Sequence, residues 1–407
     1  MQLYDPDRHV HIAAAPWSES AARTAIQTIV ADAADAFDPD RLWPKHPDEH
    51  YLGPEPERSL YCGAAGVVWA LAELAERGYG TPPSGCEAAL ARARDEELAL
   101  LSRRAAPAKS WEALGLLLGD AGFCVALYKL TGDATHQDRA YALVEATLES
   151  PICEYMSGSP GLLAMAIAYA ELTRDERWLA VYRRGVRILD DQLDRDDTLG
   201  GRLWRQQLGG REQIYYGAVH GFAGNAFAVV RGLAHLGSGD RELWCRRARE
   251  TTLRLALRDA GRASFWAEVG EVRAPRRPPL VHHCHGSPGM ITGLGALIDG
   301  TDPEFDRVLL DAGELTYEAG PLVKGAGLCH GTSGNGFALL RLYARTRDTR
   351  WLDRAREMAM AAIEQVERRR VEVGRGCYSL WTGDVGTALF LDACRSGDAA
   401  FPTMDRF

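Results

Sequence analysis

The chain has 407 residues, of which 46% are hydrophobic and 25% are charged, a composition typical of globular proteins. The net charge of −9 comes without a basic block, and no stretch approaches the roughly 18 apolar residues of a membrane span, which argues against nucleic-acid and membrane partners. Nine thinly spread cysteines argue against a disulfide framework, and the N-terminus lacks a signal-peptide pattern, so we expect a soluble, cytoplasmic protein.

The first predicted element is a helix near residues 19–37, followed by a charged, Pro-rich connector at 38–58. We predict that residues 1–58 form this N-terminal helix and connector, and that residues 59–407 form one domain. Seven copies of Gly-x-x-Gly, each followed by an apolar run, recur through that domain, which indicates a repeat architecture. The first glycines of the seven pairs are Gly63, Gly119, Gly158, Gly221, Gly286, Gly331 and Gly383.

Each glycine pair precedes about 10 to 15 nearly all-apolar residues, the pattern of an interior helix. Amphipathic stretches lie between these runs, at 137–149, 176–190, 241–257 and 350–367. Helices that are apolar on every side need neighbours all round, which favours a closed ring over an open solenoid. We predict an all-α protein, an α/α toroid of seven inner and outer helical hairpins. The long return segments 191–216 and 258–283 have strand-like and turn-like composition and are expected to form loops over one face.

Residues at matching offsets from the first glycine should lie at the same height on the inner wall of the ring. Two positions before that glycine, the fifth and sixth repeats carry Cys284 and Cys329, each followed by a histidine. Two thiolates and one imidazole suit Zn²⁺, and three protein ligands leave a coordination position for water or substrate. We predict that Cys284, Cys329 and His330 bind Zn²⁺. The alternative is that the cysteines are ordinary core residues and the histidines cap helices.

The fourth repeat carries His220 at the same wall level, one hairpin from the predicted metal. Imidazole changes charge near pH 7, so we predict that His220 is a catalytic acid or base rather than a structural histidine. Glu154 could orient a histidine or shuttle a proton, or it could simply be solvated. His285 could be a second proton donor or a group that supports a metal ligand.

Several aromatic residues and histidines near these positions receive no catalytic role. The roles of His282 and His283 stay open. The aromatic side chains expected to pack rather than to contact substrate are Tyr215, Tyr216, Trp266 and Trp381.

Four segments, YGAVHGFAG, LVHHCHGSPG, KGAGLCHGTSGN and YSLWTGDVGTALFL, resemble the lanthionine synthetase C-like family. The likeness runs from about Ser59 to Cys394, nearly the whole chain. It implies an α/α toroid with a central zinc held by two cysteines and a histidine, which match Cys284, Cys329 and His330. It also implies that the catalytic histidine is His220 and that the acidic residue is Glu154, where peptide-cyclising members usually have aspartate.

The resemblance implies addition of a thiol to dehydroalanine or dehydrobutyrine, giving a thioether. The thiol would be a peptide cysteine or a small thiol such as glutathione, and the acceptor a dehydrated peptide or protein. A dehydratase or a kinase is a further candidate partner. Peptide cyclases tend to have Cys-Tyr-Gly preceded by arginine, whereas this chain has His285 and Leu280 there, which look more like the eukaryotic-type, glutathione-adding branch. His283 replaces the family's usual tryptophan.

Three other functions compete with this one. A non-catalytic zinc-bearing scaffold that binds a peptide or protein partner is the main alternative. A prenyltransferase β-like subunit also combines an α/α barrel with zinc, but its metal set includes an aspartate that is missing beside Cys284 and Cys329. An α/α-toroid glycoside hydrolase needs two facing carboxylates, and only Glu154 stands out at the wall level.

Overall fold

The computed structural model describes residues 2–12, 15–49, 56–104, 111–196, 201–208, 211–273 and 277–407. Within these ranges the chain forms fifteen α-helices and three small two-stranded sheets, which confirms the predicted all-α fold. In this described part, no helix combines the length and the apolar character that crossing a membrane requires.

Seven helices form the inner layer of the ring. Each begins directly after the first glycine of a pair, as the repeat predicts, and is largely buried. They are α2 (Ala64–Glu76), α4 (Asp120–Thr131), α6 (Ser159–Thr173), α8 (Phe222–Val230), α11 (Ser287–Leu294), α13 (Thr332–Thr346) and α15 (Asp384–Ser396). Helix α15 packs against α2, so the first and last repeats are neighbours and the ring is closed.

Six amphipathic helices follow the first six inner helices and form the outer layer. They are α3 (Cys86–Arg104), α5 (Ala134–Thr147), α7 (Glu176–Asp191), α9 (Ser238–Leu255), α12 (Pro303–Ala319) and α14 (Thr349–Val373). Residues 397–407 form turns and no helix, so the seventh hairpin differs from the prediction. Its outer place is taken by α1 (Glu19–Asp35), which buries Ala22, Ile26 and Ile29 and packs against α15. The boundary between residues 58 and 59 stays a prediction.

The two long return segments contain short antiparallel hairpins rather than loops alone. The first segment holds two, formed by β1 (Leu193–Asp196) with β2 (Gly201–Trp204) and by β3 (Gln206–Leu208) with β4 (Arg211–Gln213). The second segment holds β5 (Leu257–Asp259) with β6 (Arg262–Ser264), followed by the short helix α10 (Val269–Arg273). Leu193 pairs with Trp204, Gln206 with Gln213 and Leu257 with Ser264.

The loops that lead into the inner helices are joined by a belt of main-chain hydrogen bonds. Each bond begins at the main-chain N–H of a residue two or three positions before the first glycine of one pair. It ends at the carbonyl of the residue two positions before the first glycine of the next pair round the ring. Among the described residues there are six such bonds, of 2.8 to 3.0 Å: Tyr61 to Leu117, Leu117 to Met156, Tyr155 to Val219, Cys284 to Cys329, Cys329 to Trp381 and Trp381 to Tyr61. The belt is interrupted between Val219 and Cys284, in the fourth and fifth loops.

The glycine pairs are required by the close approach of these loops. A Cβ at Gly158 would lie 2.0 Å from the carbonyl oxygen of Ile152, and a Cβ at Gly161 would lie 2.1 Å from that of Tyr155. No side chain tolerates such distances, so only glycine fits where the loop folds back onto the start of the helix. The repeat seen in the sequence is therefore a packing requirement.

The C-terminal tail fills the centre of the ring. Phe401, Thr403 and Met404 are fully buried. The carbonyl of Thr403 accepts a hydrogen bond from the Tyr155 hydroxyl (2.9 Å), and its side-chain oxygen accepts one from Trp381 Nε1 (3.0 Å). Because Tyr155 and Trp381 belong to the third and seventh loops, contact with both places the tail near the ring axis.

Asp120 and Asp384 occupy the same repeat position, directly after the first glycine, in different surroundings. Asp120 is fully buried and forms ion pairs with Arg94 and Arg139. Asp384 accepts a hydrogen bond from the N–H of Cys377 (3.0 Å), but burial dominates and raises the pKa of its carboxyl to about 7. The charge of Asp120 is therefore balanced by two ion pairs, whereas burial disfavours the ionised form of Asp384.

We expect Asp384→Asn to raise the melting temperature by a few degrees at pH 8. The unfolded carboxyl ionises near a pKa of 3.8, whereas the folded one keeps its proton until about pH 7, so wild-type stability falls as the pH rises between these values. The gain should vanish as the pH falls to about 4. The measurement is a series of thermal melts from pH 4 to pH 8.

The matched control is Asp120→Asn, which should lower the melting temperature at pH 8. It leaves Arg94 and Arg139 without their anionic partner, at a cost of roughly 1–3 kcal/mol. A melting temperature of Asp384→Asn below that of the wild type at pH 8 would contradict the raised pKa.

Candidate metal centre and active site

Cys284, Cys329 and His330 meet on the inner wall of the ring. The belt brings the two cysteines together, because the N–H of Cys284 donates to the carbonyl of Cys329 (3.0 Å). One ligand atom from each of the three residues lies within 4.8 Å of the others. Both cysteines are buried and free of disulfide bonds, whereas His330 is half-buried and lines a cavity of about 90 Å³.

The surroundings of this cluster favour a thiolate. Burial by itself raises the pKa of Cys329, but a hydrogen bond from Cys284 and the charge and hydrogen bond of His330 bring it well below its ordinary value. A hydrogen bond from Tyr61 acts in the same direction. The pKa of Cys284 is raised, because its thiol is hydrogen-bonded to Cys329 and buried.

The donor set fits a zinc ion. Two sulfurs and one imidazole nitrogen at this spacing are donors that would hold a zinc ion and leave a position for water or substrate. Among the described residues, no other group of His, Cys, Asp and Glu side chains gathers in this way.

His282 and His283, whose roles the sequence leaves open, have different environments. His282 Nδ1 lies 3.2 Å from Cys284 Sγ, and burial, together with the charges of His285 and His330, holds the pKa of His282 well below its usual range. His283 is fully buried and stacks on Phe401 with ring centroids 4.3 Å apart, and burial lowers its pKa to about 4. His282 therefore adjoins the cluster, whereas His283 is part of the core.

His220 and Glu154, predicted to lie at the same level, are hydrogen-bonded. His220 Nδ1 donates to Glu154 Oε2 at 3.0 Å, and Glu154 is fully buried and also accepts from the N–H groups of Met156 (3.0 Å) and Ser157 (2.5 Å). Burial by itself lowers the pKa of His220, but the hydrogen bond and charge of Glu154 raise it more, so the net pKa lies above the ordinary value. The side chain of His220 keeps 29% of its surface exposed, whereas that of Glu154 keeps none.

His285 lies between this pair and the cluster of Cys284, Cys329 and His330. Its ring centroid is 6.0 Å from that of His220 and 5.8 Å from that of His282. Burial, followed by the charge of His220, lowers the pKa of His285 to about 4. Near neutral pH His285 is therefore an uncharged imidazole, and His220 is the histidine better suited to deliver a proton.

Two residues at the site were not given a functional role from the sequence. Gln206, on β3, is buried and donates from Nε2 to the main-chain carbonyl of His220. Since β3 lies in an insertion outside the repeats, no offset from a glycine points to Gln206. Tyr215 packs with its ring centroid 6.0 Å from that of His220 and 5.9 Å from that of His285.

Comparisons with known proteins agree with this architecture. A solved structure named nisin cyclase superposes with a TM-score of 0.56 over 92% of this chain and 94% of its own, at 16% sequence identity, a likeness that shows the fold alone. Glutathione S-transferase LANCL1 of Danio rerio is 36% identical over 132 residues, and LanC-like protein GCL1 of Arabidopsis thaliana is 34% identical over 133.

The aligned stretches cover 32% and 31% of this chain, and about a third of each relative's length, 32% and 30%. The match to the family model is much longer, since the model described as lanthionine synthetase C-like protein matches residues 44–406. The chain therefore belongs to the lanthionine synthetase C-like protein family.

Proposed function

We propose that the protein is a zinc-dependent enzyme that adds a thiol to dehydroalanine or dehydrobutyrine to form a thioether. The observation that carries this proposal is the convergence of a Cys284, Cys329 and His330 cluster with a histidine that is held by a buried glutamate. Membership of the lanthionine synthetase C-like family and a relative named as a glutathione S-transferase support it.

The reaction requires a thiolate and a proton donor. The sulfur forms a bond with the β-carbon of the acceptor, the electrons of the carbon–carbon double bond move towards the carbonyl as an enolate, and the α-carbon then takes a proton. The thiol proton leaves when the sulfur ionises, so sulfur and hydrogen add across the double bond. A zinc ion on Cys284, Cys329 and His330 would supply the acidity that keeps the substrate thiol ionised near neutral pH.

His220 is the proposed proton donor to the α-carbon. Glu154 raises its pKa and fixes its orientation through Nδ1, which leaves Nε2 for the substrate. Gln206 holds the main chain of His220 in place by donating a hydrogen bond from Nε2 to the His220 carbonyl. His285, which stays neutral near pH 7, shapes the wall between His220 and the cluster.

The thiol we favour is a small one that carries carboxylates, such as glutathione. Cationic side chains suit carboxylate groups, and in the cavity beside His330 they outnumber the acidic ones. The cations are Lys324, Arg369, Arg370 and Arg375, and the acidic residues are Asp48, Glu49 and Asp384. The acceptor is a dehydrated peptide or protein, so a dehydratase or a kinase has to act before this enzyme. A reducing, cytoplasmic location fits nine cysteines that are all unpaired.

We expect about one zinc per chain in the wild-type protein, and loss of that zinc in Cys284→Ala, Cys329→Ala and His330→Ala, because each variant removes one of three protein ligands. Elemental analysis of proteins purified in parallel measures this. Cys124→Ala, which changes a buried cysteine of α4, is the control and should keep the metal. A wild type that holds no zinc would refute the metal site.

We expect His220→Ala to reduce thioether formation by roughly 10²- to 10⁴-fold while zinc content stays at the wild-type level, because it removes only the proton donor. Mass spectrometry of a dehydroalanine peptide incubated with glutathione measures the product. Wild-type activity in the variant would overturn the role of His220. A fully zinc-loaded wild type without activity on peptide and protein acceptors would instead favour the scaffold alternative.

We expect Glu154→Gln to move the alkaline limb of the pH–rate profile to lower pH. The carboxylate raises the pKa of His220, so without its charge His220 loses its proton at lower pH and the acid form becomes scarce sooner. Rates measured from pH 5.5 to 9 test this, because this range includes the ordinary histidine pKa of about 6.5. If the rate falls but the alkaline limb of the profile does not move, Glu154 orients His220 without raising its pKa.

A further inference from the structure

The proposed thiol addition needs a third group besides the metal-binding cluster and the proton donor. As the sulfur attacks, negative charge accumulates on the carbonyl oxygen of the dehydroamino acid. Enzymes stabilise such an oxygen with a hydrogen-bond donor that is already in place, and this stabilisation is often large. His220 is assigned to the α-carbon, so the carbonyl oxygen still lacks an assigned donor.

Tyr215 lies beside the proposed proton donor. Its ring centroid is 6.0 Å from that of His220 and 5.9 Å from that of His285, and the two histidine rings are themselves 6.0 Å apart. The three rings form a nearly equilateral triangle on the wall of the ring. Tyr215 is half-buried, so part of the residue remains accessible.

The main chain around Tyr215 is fixed. Its carbonyl accepts a hydrogen bond from the N–H of Phe222, and the residue forms an antiparallel bridge with Glu268. The flanking residues Ile214 and Tyr216 are bonded to the same neighbouring segment, at Val269 and Ala267. The main-chain position of Tyr215 is therefore set before substrate binds, as the placement of a preorganised donor requires.

The hydroxyl of Tyr215 is available, unlike those of the buried residues Tyr155 and Tyr182. Tyr155 and Tyr182 donate to the main-chain carbonyls of Thr403 and Val229, both at 2.9 Å. For Tyr215, the described part of the chain contains no hydrogen-bond partner of the hydroxyl. Burial, followed by the charges of Glu268 and Glu271, raises the pKa of Tyr215, so the phenol keeps the proton that it would donate.

We infer that Tyr215 is a further catalytic residue, whose hydroxyl donates a hydrogen bond to the carbonyl oxygen of the dehydroamino acid as the enolate forms. The inference rests on the proposed thiol addition and concerns the same site. No bond to Tyr215 forms or breaks. The hydroxyl keeps its proton and strengthens one hydrogen bond while the charge is on the oxygen.

The decisive variant is Tyr215→Phe, which keeps the ring contacts and removes only the hydroxyl. We expect kcat for a dehydroalanine peptide with glutathione to fall by about 10- to 100-fold, in line with the loss of one oxyanion donor. The KM for glutathione, the zinc content and the melting temperature should match the wild type, because the variant leaves the thiol site and the packing unchanged.

Two further variants separate the hydroxyl from the ring. Tyr216→Phe changes the adjacent, buried tyrosine and should leave kcat unchanged. Tyr215→Leu removes ring and hydroxyl together and should lose at least as much activity as Tyr215→Phe. A Tyr215→Phe enzyme with wild-type kcat beside an impaired Tyr215→Leu enzyme would show that only the ring packing counts, and would overturn the inference.

Failure of the inference is distinguishable from failure of the proposed function. An active wild type and an equally active Tyr215→Phe would remove Tyr215 from the mechanism and leave the thiol addition standing. A zinc-loaded wild type that forms no thioether would refute the proposed function, and the role of Tyr215 with it.

Discussion

The belt of main-chain hydrogen bonds between the return loops is the constraint on which the rest of the structure depends. Each bond contributes a modest net stability, of the order of 1 kcal/mol, but together they fix the height and register of the loops. Cys284 and Cys329 occupy adjacent positions in this belt, and the bond between their main chains holds the two sulfurs on the same wall. The cluster therefore does not depend on flexible loops to assemble, which is what a rigid metal site requires.

The protonation of the two histidines at the site is set by their surroundings rather than by residue type. His220 and His285 are both imidazoles with ring centroids 6.0 Å apart, yet the pKa of one is raised and that of the other is lowered to about 4. The difference comes from Glu154, which is buried, held by two main-chain N–H groups and bonded to only one of the two rings. Neighbouring groups whose pKa values are driven apart are typical of acid–base pairs in enzymes.

Sequence reasoning predicted most of the ring, and the proximity of Cys284, Cys329 and His330, because the repeat turns offsets into heights on one wall. The same rule predicts that His283 is buried, because it lies three positions before the first glycine of its pair. At that position the other six repeats carry fully buried residues: Leu60, Leu116, Tyr155, Ala218, Leu328 and Leu380. Gln206 was out of reach because its hairpin lies outside the repeat. The place of α1 beside α15 was equally hidden, since packing between the two ends of a ring leaves no trace in local patterns.

The belt is interrupted at the place where the rings of Tyr215, His220 and His285 come together. Between the fourth and fifth loops the main chains touch, since a Cβ on Gly217 would lie 1.9 Å from the carbonyl oxygen of Cys284, but among the described residues no belt bond joins these loops. His220 and Tyr215 come from one side of this junction and His285 from the other. Elsewhere in the belt the loops are tied edge to edge by their own main chains. Here their side chains meet instead, so the junction brings two imidazoles and a phenol together beside Cys284, the first cysteine of the cluster.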